Sequence, residues 1–214
     1  AIRGLEGYSN QDFIEYSVES SLSFPRIIAP KFLTNIIGNR YDARSEVSVM
    51  YDLQNRPEYH RRVLSMAWKY KWSNEGHHDR YQIDLLDINY LFMPWISDTF
   101  RKDYLEDDTN RNAILRYNYE NLLIMKWGVG YNYNNGRYAI KANVETSGNL
   151  LNLCSGLLNF EKNEQGQYQV FGIAYAQYAK ADFDFTNNIS FDYNNQLIFH
   201  VGFGIAYPYG NSTI

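Results

Sequence analysis

At 214 residues the chain can form one domain with a sizeable core. Its net charge of −4 and 21% charged residues exclude the basic stripe that nucleic acid demands, while 45% hydrophobic and 17% aromatic content excludes disorder. Mean hydropathy is only −0.49, no stretch reaches the roughly 18 consecutive apolar residues of a spanning helix, and the single cysteine, Cys154, excludes an intrachain disulfide or thiolate metal cluster.

High aromatic content with low mean hydropathy leaves two readings, a soluble β-protein or an outer-membrane barrel with a polar lumen. The chain opens on Ala1-Ile2-Arg3-Gly4, with no signal peptide, as in a mature, processed or excerpted sequence.

In chain order, alternation of period two predicts a first strand over 14–24, with Ile14, Tyr16, Val18, Leu22 and Phe24 on one face, ended by Pro25. A second sets Val47, Val49, Tyr51 and Leu53 against Glu46, Ser48, Asp52 and Gln54, before a turn at Asn55-Arg56-Pro57. The third places Leu64, Met66, Trp68, Tyr70 and Trp72 opposite Ser65, Ala67, Lys69 and Lys71. Lysines opposite so greasy a stripe suit a wet lumen against lipid. A fourth strand near 80–93 carries Leu86, Ile88, Tyr90 and Phe92 outward, with a phase slip near Asp84 that marks a bulge. From Pro94 to about Leu105, Trp95, Ile96, Phe100 and Tyr104 recur at helical spacing, so 94–120 reads as an excursion with a short helix near 96–105, capped by Ser97 or Asp98.

Strands resume with Leu123, Met125, Trp127, Val129, Tyr131 and Tyr133. Asn134-Asn135-Gly136 signals a hairpin turn into Tyr138, Ile140, Ala142 and Val144. Residues 148–167 read as a loop, followed by a very long strand from Phe171, Ile173 and Tyr175 through Ala179, Ala181, Phe183 and Phe185. Its polar phase is Lys180, Asp182, Asp184 and Thr186. After Asn194-Asn195, Leu197, Phe199, Val201, Phe203, Ile205 and Tyr207 oppose His200, Gly202, Gly204 and Ala206.

The pattern predicts an all-β fold, an antiparallel transmembrane β-barrel with about eight strands in this chain. Several strands exceed the usual 5 or 6 residues and match the roughly 9–11 that a tilted membrane strand needs. Short turns alternate with long connections, as in outer-membrane barrels. One strand separates 94–120 from the Asn134-Asn135-Gly136 turn, so the two emerge on opposite ends.

Tyr16-Ser-Val-Glu19-Ser-Ser-Leu-Ser-Phe24-Pro25 resembles a strand ending in the barrel of the BamA/TamA family of outer-membrane assembly proteins. Tyr51-Asp-Leu-Gln-Asn-Arg-Pro57-Glu-Tyr59 is similar to the Bacteroides-type members, sometimes called TamL, as are Asp87-Ile-Asn89-Tyr, Asn143-Val-Glu145-Thr-Ser-Gly148 and Gly202-Phe-Gly204-Ile-Ala-Tyr207-Pro-Tyr-Gly210-Asn. The resemblance covers nearly the whole chain and rests on strand patterns. It implies a mid-barrel portion of a sixteen-stranded barrel over 1–214, without the family's periplasmic POTRA repeats or its C-terminal strands. It also implies the outer membrane of a Gram-negative, Bacteroides-like bacterium and a role in inserting or exporting outer-membrane or surface proteins without chemical catalysis. The implied partners are outer-membrane lipid, other outer-membrane or periplasmic assembly proteins, and strands from the rest of the polypeptide or another chain. No cofactor, metal or nucleic acid is expected. A passive pore and a soluble β-sandwich or small-barrel binder stand as alternatives.

The lipid-facing candidates are Leu64, Met66, Trp68, Val129, Phe183 and Phe203; the lumen-facing candidates are Lys69, Lys71, Lys180, Asp182, Asp184 and His200. Asp182 and Asp184 have the spacing of paired carboxylates, but a hydrated wall explains them better. His77 and His78 point to opposite faces and do not converge on a metal. Gly128-Val-Gly130 and Gly202-Phe-Gly204 precede no helix, which removes a dinucleotide reading; small residues in a packed lumen, or easing curvature, account for them. Cys154 sits among Leu150, Leu151, Leu153, Leu157 and Leu158, where burial outweighs reactivity.

Overall fold

A computed structural model describes residues 13–37, 40–102, 119–155, 160–163 and 166–212. Eight long strands form one antiparallel sheet in which each strand pairs with its neighbours in sequence. They are β1 (Ile14–Phe24), β2 (Tyr41–Asn55), β3 (Tyr59–Ser73), β4 (Asp79–Ile96), β5 (Leu122–Asn134), β6 (Tyr138–Ser147), β9 (Tyr178–Ser190) and β10 (Gln196–Pro208). A two-residue pair, β7 (Gln169–Val170) and β8 (Ile173–Ala174), makes a separate hairpin between β6 and β9. Short helices are α1 (Lys31–Ile37), α2 (Asp98–Phe100) and α3 (Asn149–Ser155). Among the described residues β1 pairs only with β2 and β10 only with β9, so the sheet is open and has two edges.

The turn chemistry fixes the hairpins. Asn134 and Asn135 turn their side-chain oxygens onto the N–H groups of Gly136, Arg137 and Tyr138, and Gly136 takes φ 86°. Asp192 accepts the N–H groups of Asn194 and Asn195 in the turn before β10. The phase slip near Asp84 is a bulge: Lys69 pairs with Asp84 and Trp68 with Leu86, leaving Leu85 without an opposite residue.

Three predicted elements differ. The strand ahead of the excursion continues through Pro94, Trp95 and Ile96, and helix α2 begins only at Asp98. The proline is tolerated because β5 ceases to pair at Leu91↔Leu122, and because a register shift between His60 and Arg62 sets Pro94 off the β3 ladder. Met93 N–H is taken by the Asn121 side chain instead. Ser97 occupies the N-cap position without a side-chain cap bond, and residues 103–118 of the excursion lie outside the described residues. The long strand predicted from Phe171 begins at Tyr178. Phe171 and Gly172 both take positive φ, 54° and 74°, and reverse the chain between β7 and β8, so alternation does not run through them. Within the predicted loop 148–167 the chain forms α3.

Connections sort by end, with two exceptions. The turns 74–78, 135–137 and 191–195 share one end with the longer 25–40; residues 97–121 and 148–177 share the other with the short 56–58. The 94–120 excursion and the Asn134-Asn135-Gly136 turn therefore emerge on opposite ends.

Candidate functional site: two faces of one sheet

Residues paired across antiparallel strands project to the same face, so register assigns every side chain. One row runs Leu22–Val47–Trp68–Leu86, and others run Val129–Val144–Ala181–Ile205 and Ala142–Phe183–Phe203. All six residues expected to face lipid lie on this apolar face. The opposite face carries Ser23–Glu46–Lys69–Asp84–Gly128–Glu145–Lys180–Ala206 as a single row spanning all eight strands. Lys71, Asp182, Asp184 and His200 lie on the same face, in the next three rows toward the short-turn end.

The exposure of the two faces is the reverse of that in a water-soluble sheet. Val129 is 50% and Phe203 66% exposed, whereas the side chains of Asp87, Glu145 and Lys126 are 14%, 24% and 26% exposed. Many of the charged groups on this face lie against a group of opposite sign. Lys126 lies 3.7 Å from Asp87 and 3.4 Å from Glu145, and Lys69 lies 3.7 Å from Asp84. Lys180 is 2.8 Å from Asp182, and His200 Nε2 is 3.2 Å from Asp184 Oδ1. Glu46 takes both Lys71 and Arg44. Asp182 thus pairs with the Lys180 ammonium, and Asp184 lies in hydrogen-bond contact with the His200 ring. Glycine leaves room on this face: a Cβ on Gly202 or Gly204 would sit 2.9 Å from a carboxylate oxygen of Asp184 or Asp182, and that side chain would have to shift.

Two stretches of the apolar face are covered, and sequence reasoning missed both. Near the short-turn end the 26–37 connection folds onto β2 and β3: Tyr70 is 1% exposed and donates to Ile28 O at 2.8 Å. Buried Ser45 donates to Arg26 O and accepts Ile28 N–H. Trp68 packs against this cluster with Ile27 and Ile37, so it is half-buried, whereas Leu64, Met66, Val129, Phe183 and Phe203 are exposed. The signal for this cover was the apolar run Ile27-Ile28-Ala29 beyond the strand's end.

At the other end β6 stops at Ser147, and the freed edge of β5 is taken by Tyr175 and Ala176, with Ala176 N–H donating to Leu123 O at 2.9 Å. Tyr175, Ile173 and Leu123 form a buried cluster with Leu151, Phe160 and Tyr168. Burial pushes the Tyr175 hydroxyl above the ordinary tyrosine range, with the nearby Tyr168 adding to it.

Beside that cluster, buried Asn211 donates to Tyr168 O and Tyr175 O and accepts the Tyr168 N–H. Gln177, also buried, accepts Asn211 N–H and donates to Asn149 Oδ1. This polar knot ties the chain beyond β10 to the 148–177 connection.

The remaining candidates are structural. His77 packs edge-on against Tyr41 with ring centres 4.7 Å apart, while His78 Nδ1 lies 2.9 Å from Asn134 O. Among the described residues no group of three or more His, Cys, Asp or Glu side chains converges as a metal site. Cys154 is half-buried on α3, with Leu150 and Leu153 exposed beside it. No helix of the described residues is long and apolar enough to cross a membrane.

No family model matches this chain, and no curated protein or solved structure matches it.

Proposed function

We propose that this chain is part of the wall of an outer-membrane β-barrel of the BamA/TamA type, which assists insertion or export of outer-membrane and surface proteins. The observation that carries the membrane reading is the inverted pair of faces. Aliphatic and aromatic side chains are exposed strand after strand, while a central set of acids and bases on the other side, among them Asp87, Lys126 and Glu145, is half-buried and paired. A water-facing sheet has no physical reason for that arrangement, because leaving a Val or Phe side chain exposed forfeits about 1.5–3 kcal/mol of burial. Lipid tails remove the penalty.

The assembly role rests on the resemblance of the strand-end motifs and on the open sheet. In lipid, the unpaired N–H and C=O groups along β1 and β10 each cost several kcal/mol, so other strands must cover them. Strands from the rest of a larger barrel, or from another copy of the chain, fit that need. An exposed strand edge is also a pairing template, which is the physical basis for guiding client strands into a bilayer. The function needs no catalytic residue.

The test is reconstitution of the full-length protein into liposomes, with an unfolded outer-membrane barrel as client. The expected result is detergent-dependent solubility and faster client folding than in empty liposomes. Release of small solutes without faster client folding would replace assembly by a passive pore. Monodispersity without detergent would sink the membrane reading.

A further inference from the structure

At the short-turn end of the polar face two cations close to one another lack ion-pair partners among the described residues. A single cross-strand row there reads Ser73–Arg80–Asn132–Lys141. Arg80 and Lys141 make no ion pair among the described residues, although every other lysine on this face named above has a carboxylate within 4.0 Å. Asp184, next in the row after Lys141, turns an oxygen to His200 Nε2 at 3.2 Å and makes no ion pair with Lys141, and Asp182, in the row beside it, pairs with Lys180. One strand, β5, lies between Arg80 and Lys141, so two interstrand spacings of about 4.8 Å put their backbones roughly 9–10 Å apart. Both long side chains can close on one ligand from either side.

The space between them is built. Ser73, Arg80, Asn132 and Lys141 line a cavity of about 460 Å³, within the size range of small-molecule sites. Gly130, between Gln82 and Asn143 in the neighbouring row, keeps its floor open: a Cβ there would come within 2.8 Å of Asn143 Oδ1. Ser73 is only 5% exposed, yet its hydroxyl has no hydrogen-bond partner. An orphaned buried hydroxyl costs about 1–3 kcal/mol. A ligand oxygen in the cavity would satisfy it. Arg44 and Lys71 stand in the same lining, but Glu46 already neutralises both, and Asp42 takes Arg44 as well.

We propose that this cavity binds a small ligand bearing two oxyanion groups, phosphate or carboxylate, clamped between Arg80 and Lys141 with Ser73 donating its hydroxyl. Guanidinium and ammonium donors aimed at one space form the strong, charge-assisted class of hydrogen bond. The inference does not depend on the membrane reading, because the site lies wholly on the polar face.

Calorimetric titration of the purified full-length protein with inorganic pyrophosphate and, separately, succinate tests it at low ionic strength. Saturable binding of at least one is expected, weakened about tenfold or more in R80Q/K141Q, a loss of about 1.4 kcal/mol. K69Q/K180Q, which removes two paired lysines at equal net charge, should bind as the parent does. Pyrophosphate alone would assign phosphate esters, and succinate alone dicarboxylates. No saturable binding of either, or equal weakening in both double variants, overturns the site. Liposome reconstitution is a separate readout, so failure here leaves the barrel proposal standing.

Discussion

Phe203 and Tyr70 occupy the same face of the same sheet, yet one is 66% exposed and the other 1%. Phe203 lies on β10, where no connection among the described residues folds back over the sheet. Tyr70 lies under residues 26–37, which return across β2 and β3 and supply Ile27, Ile37 and the Ile28 carbonyl. Strand alternation decides which face a side chain takes, but connections decide what meets it there. The covered residues reflect this. Tyr70 and Ser45 carry hydroxyls that satisfy the backbone of the covering segment, a task that an uncovered residue such as Phe203 does not have.

The contrast is sharpest at Tyr70. Y70A should lower stability by about 3–5 kcal/mol in denaturant unfolding, as for a large buried aromatic, whereas F203A should cost far less. Equal losses would mean that the cover does not exist in solution.

Next is the contrast between the two faces. Under the barrel proposal F183R places a charge on the lipid side and should cost about 2–4 kcal/mol in lipid, while D184R on the polar side should cost much less. Equal costs at the two sites would contradict the inverted-face reading.

The second covered region depends on polar satisfaction rather than on an aromatic plug. N211A removes the acceptor of Tyr168 N–H and the donor to Tyr168 O and Tyr175 O. Leaving such groups unmet costs about 1–3 kcal/mol. Amide exchange should quicken first around 168–177 while β2 and β3 stay protected. Uniform loosening of the sheet would show that the knot is not a local clasp.

The smallest effect is expected at the exposed turn 191–195. The Asn195 side-chain amide, then the Asn194 N–H, hold the Asp192 carboxyl below the usual carboxylate range. Its folded pKa is below the unfolded one, so the contribution is complete above the unfolded value and is lost as pH falls through the folded value. Exchange at Asn194 and Asn195 should therefore rise only in strong acid. A rise between pH 5 and 7 would be incompatible with this clasp.

Much of this molecule is determined by the sequence alone. Eight runs of alternation specify eight strands and, through their parity, place Leu64, Val129, Phe183 and Phe203 opposite Lys69, Asp182 and Asp184. Even the bulge beside Asp84 is legible, since one extra residue shifts the phase of everything after it. Local turn chemistry at Asn134-Asn135-Gly136 is equally visible. What only the tertiary structure decided is long-range and has no period. The run from Phe171 to Phe185 alternates in sequence, yet two left-handed residues fold its first part into a hairpin against β5. Pro94 reads as a stop, yet the strand passes it because the neighbouring strand has already ended there. The unpaired Arg80 and Lys141 are ordinary polar residues in sequence. Their lack of counterions emerges only when five strands come into register, because pairing depends on which carboxylates the neighbouring strands bring within reach and which other cations claim them first.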